Sequence, residues 1–282
     1  MMTTLQSFDR PDVTARLLQP PPAAELLPQA GLSEDITLTV DGATLSARFY
    51  EAAKGNPTLL YFHGGEESCS TFTDEAEGYR ATGLNVLLFS YRGFGGSTGT
   101  PSLATLLDDA NSQFLQAVEW LALRGYTAPL FVFGRSLGSL CAVSIASGHQ
   151  EKLKGLILES AYCQGKTLLQ ALGLEEASQA IAEGDSFGVL EKMGTIKLAT
   201  SIFHGSKDEL VPIPEVEKLQ ASSAAKTKQF LLVPGARHGN VARTAGPLYF
   251  KAVRSFVDSV CGINTWRDRR RKFQAQQGGE TR

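Results

Sequence analysis

The sequence predicts an open α/β fold: a mostly parallel sheet with helices on both faces, entered through an antiparallel hairpin. Three observations carry this. Short, nearly continuous apolar runs recur along the chain, as expected of parallel strands covered on both faces. Stretches with apolar residues three and four apart lie between most of them, the period of a helix with one buried stripe. An alternating segment broken by Asp-Gly precedes them all, a strong hairpin signal.

The elements follow in order. Residues 1–34 are polar and proline-rich ("QPPPAAELLP") and are expected to form a flexible leader. "ITLTV-DG-ATLSARFY" (36–50) reads as two strands around Asp41-Gly42. The apolar runs are "PTLLYF" (57–62), "NVLLFSY" (85–91), "PLFVF" (129–133), "GLILES" (155–160), "ATSIFH" (199–204) and "KQFLLV" (228–233). Within 103–121, Leu103, Leu107, Ala110, Phe114, Val118 and Leu121 give one apolar stripe. A helix is expected over 137–148 and a last one over 247–260, the latter with Leu248, Val253, Phe256, Val257 and Val260. The domain is read as 35–261, with a small lid over about 162–198 and a basic tail over 262–282. In the lid, Leu168, Leu169, Leu172, Leu174 and Ile181 occur close to helical spacing. Such a helix can cover an acyl pocket with one apolar face, which makes Leu168 and Leu172 substrate-pocket candidates.

Composition removes several function classes. The chain has 282 residues, 43% of them hydrophobic, enough for one large core. With 27 basic and 29 acidic residues its net charge is -2, so there is no general pull toward nucleic acid or anionic membrane. No nucleic-acid partner is expected; the basic tail allows weak membrane contact at most. No apolar stretch approaches the roughly 20 residues that span a bilayer, and the N-terminus lacks a basic segment followed by an apolar block, so neither a transmembrane segment nor a secretory signal is expected. Cys69, Cys141, Cys163 and Cys261 are scattered, without metal-ligand spacing or a disulfide framework. Reduced thiols, a cytoplasmic location, and no metal or cofactor are the expectation.

The chemistry centres on "FGRSLGS" (133–139). Ser136 stands in a G-x-S-x-G pattern between an expected strand and an expected helix. A serine on such a sharp turn needs small neighbours, and the helix that follows aims N–H groups at developing negative charge. A serine hydroxyl also needs a base in contact and a carboxylate to orient that base. His238, in "VPGARHGN", follows the last expected strand, and Asp208, in "FHGSKDELVP", lies between the two. The alternatives are a glycine-rich turn for Ser136, a backbone-binding loop histidine for His238 and a turn or helix cap for Asp208. The joint order Ser136, Asp208, His238 favours a catalytic triad. The N–H of Leu137 and that of Gly65, after "LLYFHG", are the expected oxyanion donors, with Glu66 N–H the alternative to Gly65.

At this point the sequence resembles the α/β-hydrolase superfamily, over roughly residues 35–260. The resemblance rests on "YFHGG", "SYRGFGGSTGTPS", "GRSLGS", "LESAY", "HGSKDELVP" and "GARHGN", in that order. It implies the α/β-hydrolase fold with a short lid. "YRGFGGSTGTPS" is similar to a subgroup of small serine hydrolases that includes membrane-protein depalmitoylases. Those enzymes carry an N-terminal cysteine cluster for lipid attachment, whereas this chain has no cysteine before Cys69.

Together these readings predict a metal-independent serine hydrolase acting on a small-molecule or acylated ester or thioester, with short- to medium-chain neutral acyl groups preferred. A serine peptidase of the same fold and a non-catalytic binding protein are the alternatives. Glu159, ending a strand, is the second candidate for the orienting acid. Arg135 is read as a paired surface arginine or an anchor for an acidic substrate group, and His63 as a structural loop histidine. Cys141 is read as a packed small residue. Glu66 and Glu67 are read as solvated or as a device that disfavours anionic acyl groups.

Overall fold

The computed structural model describes residues 5–21, 33–69, 71–181, 185 and 187–263. Most of the basic tail, residues 264–282, lies outside the described residues, as do 1–4 and 22–32 of the expected leader. Eight strands form one sheet in the order β1-β2-β4-β3-β5-β6-β7-β8. They are β1 (Ser33–Val40), β2 (Ala43–Tyr50), β3 (Thr58–Phe62), β4 (Asn85–Phe89), β5 (Leu130–Arg135), β6 (Gly155–Glu159), β7 (Ala199–Gly205) and β8 (Lys228–Val233). β1 and β2 pair antiparallel around Asp41-Gly42, and β2 pairs antiparallel with β4. The remaining pairs, from β4 through β3 to β8, are parallel.

The burial pattern explains the runs. Every residue of β3, β4 and β6 is buried, because helices cover both faces. In β1 only Ile36, Leu38 and Val40 are buried, the alternation of a strand with one wet face. Two apolar cores result. Leu60, Phe62 and Val132 face one, while Leu59, Tyr61, Phe131 and Phe133 face the other. Helices α3 (Leu106–Leu123) and α4 (Gly138–Gly148) cover the first core; α2 (Thr73–Ala81) and α10 (Pro247–Val260) cover the second.

The path of the chain reverses at β3. After β3 it moves out to β4, then returns to place β5 on the other side of β3. Such switch points leave a crevice at the carboxyl ends of the strands, where ligands bind in open α/β sheets. The loops after β3 and β5 carry Gly65 and Ser136.

Two expectations are corrected. Part of the flexible leader is ordered: Leu5–Phe8 form a 3-10 turn and Pro11–Leu17 form α1. Phe8, Val13, Leu17 and Leu18 are buried in the first core, and Phe8 meets Phe187 edge-on at 5.2 Å. Asp9 anchors the segment by accepting bonds from Ser102 Oγ (2.7 Å) and Leu103 N (2.9 Å). Burial of that apolar set outweighs the polar, proline-rich character of the whole stretch. The expected lid helix is likewise broken. It forms α5 (Gly165–Ala171) and α6 (Glu175–Gln179), separated at Gly173, whose φ is +71°. A third short helix, α7 (Val189–Met193), leads back to β7. Leu168, Leu169 and Ile181 are buried in the first core, with Leu172 and Leu174 packed against it. α8 (Ile213–Ser222) follows β7, and α9 (Val241–Ala245) precedes α10.

Candidate active site

Ser136 sits at the tip of a sharp turn between β5 and α4. Its φ is +51°, a left-handed conformation that costs a non-glycine residue on the order of 1–3 kcal/mol and persists only where surroundings enforce it. Its N–H donates to Glu159 O at 2.9 Å, tying the turn to the end of β6. The flanking glycines are required by contact. A β-carbon on Gly134 would press on Ser139 Cα and Ala142 Cβ, and one on Gly138 would collide with the Phe62 carbonyl.

The three expected partners meet. Ser136 Oγ lies 2.7 Å from His238 Nε2. His238 Nδ1 lies 3.0 Å from each Asp208 carboxylate oxygen. A carboxylate there fixes the proton on Nδ1 and leaves Nε2 as an acceptor for the serine proton. Asp208 also accepts from Leu210 N (3.0 Å) and Val211 N (2.9 Å). Burial alone would raise its pKa. The bond and charge of His238, with the backbone N–H of Val211, more than offset this and hold it below the ordinary carboxylate value.

His204, buried on β7, places Nδ1 3.7 Å from Asp208 and donates from Nε2 to Val211 O at 3.0 Å. Burial lowers its pKa, so it remains a neutral brace for the Asp208 turn.

Among the described residues, the N–H groups of Leu137 and Gly65 have no protein acceptor. Both lie beside the serine turn: Leu137 follows Ser136, and Gly64 Cα is close enough that an added β-carbon would stand 3.5 Å from Ser136 Cβ. The ordered leader reaches this loop. Gln19 N donates to Gly65 O at 2.6 Å, and any β-carbon on Gly65 would collide with the Leu17 carbonyl. His63 is buried, with Nδ1 bonded to Gly64 O at 2.6 Å and its pKa lowered by burial. It is a structural loop histidine.

Arg135 is not at the surface. It is 5% exposed and faces three carboxylates: Glu67 at 2.7 Å, Glu159 at 2.8 Å, and Glu75. Its Nε points poorly at Glu159, so that contact is an ion pair without hydrogen-bond geometry. Glu67 also accepts Gly64 N–H at 2.8 Å. Glu67 is therefore a bound member of this network and not a solvated charge, while Glu66 is exposed. Glu159 further accepts from the Tyr249 hydroxyl. Burial pushes the Glu159 pKa up to about 7, against the pull of Arg135.

This network forms the inner wall of a cavity of about 770 Å³ between α2 and the α9–α10 segment, with Glu66, Gly239 and Phe250 among its lining residues. Neither Ser136 nor His238 lines it. Leu168 and Leu172 are also absent from its lining, since they belong to the core on the other face of the sheet. Cys141 is fully buried one turn into α4, and burial pushes its thiol up to about 12, so it stays protonated.

One site residue escaped the sequence reading. The Tyr162 hydroxyl lies 2.9 Å from Ser136 Oγ, and its ring stacks on His238 with centroids 5.8 Å apart and planes 11° from parallel. The only available signal was an aromatic residue just past a strand end, in "LESAY". Among the described residues, no group of three or more His, Cys, Asp or Glu is placed to hold a metal ion, and no helix is long and apolar enough to cross a membrane.

Comparison with known proteins agrees with this architecture. Residues 53–183 match the family model described as serine aminopeptidase, S33. An uncharacterized protein of Mycobacterium tuberculosis is 30% identical, over 84% of this chain and 82% of its own length. The protein bem46 of Schizosaccharomyces pombe is 29% identical, over 73% and 69%. Among solved structures, a Pyrococcus furiosus esterase superposes with a TM-score of 0.70 at 20% identity, covering 86% of this chain and 99% of its own. A monoglyceride lipase from Saccharomyces cerevisiae gives 0.66 at 17% identity, covering 84% and 98%. The chain belongs to the α/β-hydrolase superfamily and is a hydrolase of that family.

Proposed function

We propose that this chain is a serine hydrolase that cleaves carboxylic esters or thioesters through an acyl-enzyme on Ser136. The observation that carries the reading is the unbroken chain of contacts from Ser136 Oγ through His238 to Asp208. Ser136 Oγ attacks the acyl carbon as His238 Nε2 takes its proton. Asp208 keeps the imidazole oriented and stabilises its cationic form. The Leu137 and Gly65 N–H groups receive the oxyanion. His238 then protonates the leaving group, and a water activated by the same imidazole releases the acid.

The acyl chain is expected to be short. Leu168 and Leu169 turn their apolar surface into the core, so they offer no wall to a long chain. Butyryl and octanoyl p-nitrophenyl esters should differ less than about threefold in kcat/KM, whereas each methylene that gained burial would add up to about 0.8 kcal/mol. A tenfold rise for every two carbons would return the pocket to the lid.

Ser136→Ala should abolish both turnover and labelling by a fluorophosphonate probe. Labelling that survived this substitution would remove the serine assignment. The acidic side of the neighbouring cavity favours a second reading, hydrolysis of peptides with a free amino terminus, since Glu66 and Asp74 in its lining offer carboxylates to an ammonium group. Turnover of alanine p-nitroanilide faster than p-nitrophenyl acetate would establish it.

A further inference from the structure

Tyr162 lies against both the nucleophile and the His238 ring, and its placement is enforced. It comes three residues after Glu159, the end of β6. Its backbone N–H donates to Ser139 Oγ at 3.1 Å, and that hydroxyl donates to the Ser136 carbonyl at 2.6 Å. Two residues earlier, Ser160 adopts a φ of +46° and donates from Oγ to the His238 carbonyl at 3.0 Å. The segment from Ser160 to Tyr162 is therefore bonded to both the serine turn and the histidine loop. The tyrosine is 5% exposed, and burial pushes its pKa up to about 12, so its hydroxyl keeps its proton.

The proton count sets the direction of its bond. Ser136 carries one hydroxyl proton, and in the reactive arrangement that proton points at His238 Nε2. In this structure Ser136 Oγ donates to the Tyr162 hydroxyl at 2.9 Å; once the serine proton turns to His238, Oγ can only accept on that side, and Tyr162 becomes the donor. We propose that Tyr162 is a catalytic residue whose hydroxyl stabilises Ser136 Oγ as the leaving group when the acyl-enzyme breaks down. The inference rests on the acyl-enzyme reading above.

The step balances without any added reactant. Water attacks the acyl carbon and gives a proton to His238 Nε2. The tetrahedral intermediate collapses, the C–Oγ bond breaks, and its electron pair goes to Oγ. His238 Nε2–H returns the proton to Oγ. Tyr162 keeps its own proton and supplies only a hydrogen bond. An ester oxygen is a weak acceptor, whereas a departing serine oxygen carries charge, so the bond strengthens on the way to this transition state. Acylation lacks that advantage, because the two hydroxyls are already hydrogen-bonded to each other before the serine attacks. Tyr162 therefore acts mainly on deacylation.

The test is Tyr162→Phe, assayed with p-nitrophenyl butyrate by stopped flow beside the wild type and Ser136→Ala. In Tyr162→Phe, kcat should fall about 10- to 100-fold, the scale of one hydrogen bond to a charged oxygen. KM should fall by the same factor, leaving kcat/KM within about threefold. A p-nitrophenol burst equal to the enzyme concentration should appear, and intact mass should show one butyryl group on the protein. Labelling by the fluorophosphonate at the wild-type rate will show that the fold and the Ser136–His238 pair are intact. An equal fall in kcat/KM without a burst would overturn the inference, as would unchanged kcat and KM. Turnover that persists in Ser136→Ala would instead defeat the acyl-enzyme reading itself.

Discussion

Two acids stand at the carboxyl ends of neighbouring strands, and they live in opposite electrostatic worlds. Glu159 is the last residue of β6, while Asp208 lies in the turn after β7. Both side chains are buried. Asp208 is surrounded by N–H donors from His238, Leu210 and Val211, which hold it ionised. Glu159 shares one guanidinium with Glu67 and Glu75, so burial prevails and its pKa rises to about 7. What decides the charge of a buried carboxyl is the number of donors reserved for it. The acid with three N–H donors of its own, against the single Tyr249 hydroxyl given to Glu159, is the one that touches the imidazole.

The largest expected effect breaks this comparison on the Asp208 side. Asp208→Asn should lower kcat by roughly 10²–10⁴, because a neutral amide neither fixes the imidazole proton on Nδ1 nor stabilises the imidazolium. Steady-state rates with p-nitrophenyl butyrate measure it. Glu159→Gln should cost less than about tenfold, the scale of one altered hydrogen bond felt at the barrier. If the two losses come out in the reverse order, Glu159 is the orienting acid.

The same pair can be sharpened by stability. For Glu159 the folded pKa of about 7 lies above the ordinary 4.5. The folded state then binds more protons than the unfolded one between those values, and stability falls as pH rises through this window. Asp208 has the opposite sign. Its pKa is lowered from 3.8, so its contribution is present at neutral pH and fades only as pH drops below that value. Glu159→Gln should therefore flatten the urea midpoint between about pH 4.5 and 7 while leaving the acid limb unchanged. An unaltered slope in that window would mean that Glu159 is not the group whose protonation is linked to folding.

The difference between these acids also marks how far the sequence could be read. Strand windows and the last helix were legible because burial on both faces leaves continuous apolar runs, and because Val253, Phe256, Val257 and Val260 keep helical spacing, although Leu248, read with them, is 71% exposed. The contact of Ser136, Asp208 and His238 was legible from chain order alone, since each follows a strand that ends at the same edge of the sheet. The Arg135 network was not. Its carboxylates come from positions 67, 75 and 159, and nothing local to "GRSLG" announces that they converge. The packed leader was concealed by composition. Its prolines and polar residues set the average, while a few apolar positions, Phe8, Val13, Leu17 and Leu18, decide the packing. Tyr162 was missed because the turn that brings it back over Ser136 is set by two serine hydroxyls, not by a periodic pattern.

The smallest effect belongs to a third acid, which lacks both the donors of Asp208 and the burial of Glu159. Glu66 follows Gly65 in the candidate oxyanion loop and is exposed. Glu67, beside it, already has its charge shared with Arg135 and Gly64 N–H. Glu66 is therefore the charge free to act on an incoming acyl group, but it acts through water. Exposed pairs of charges interact by about 1 kcal/mol or less, and salt weakens them further. An anionic succinyl ester should be a poorer substrate than a butyryl ester of similar size. Glu66→Gln should narrow that gap by no more than about fivefold, and the gain should disappear at high salt. A larger gain that persists in salt would place Glu66 in a dry part of the acyl site. No gain at all would shift any discrimination against anions to the Glu67–Arg135–Glu159 network.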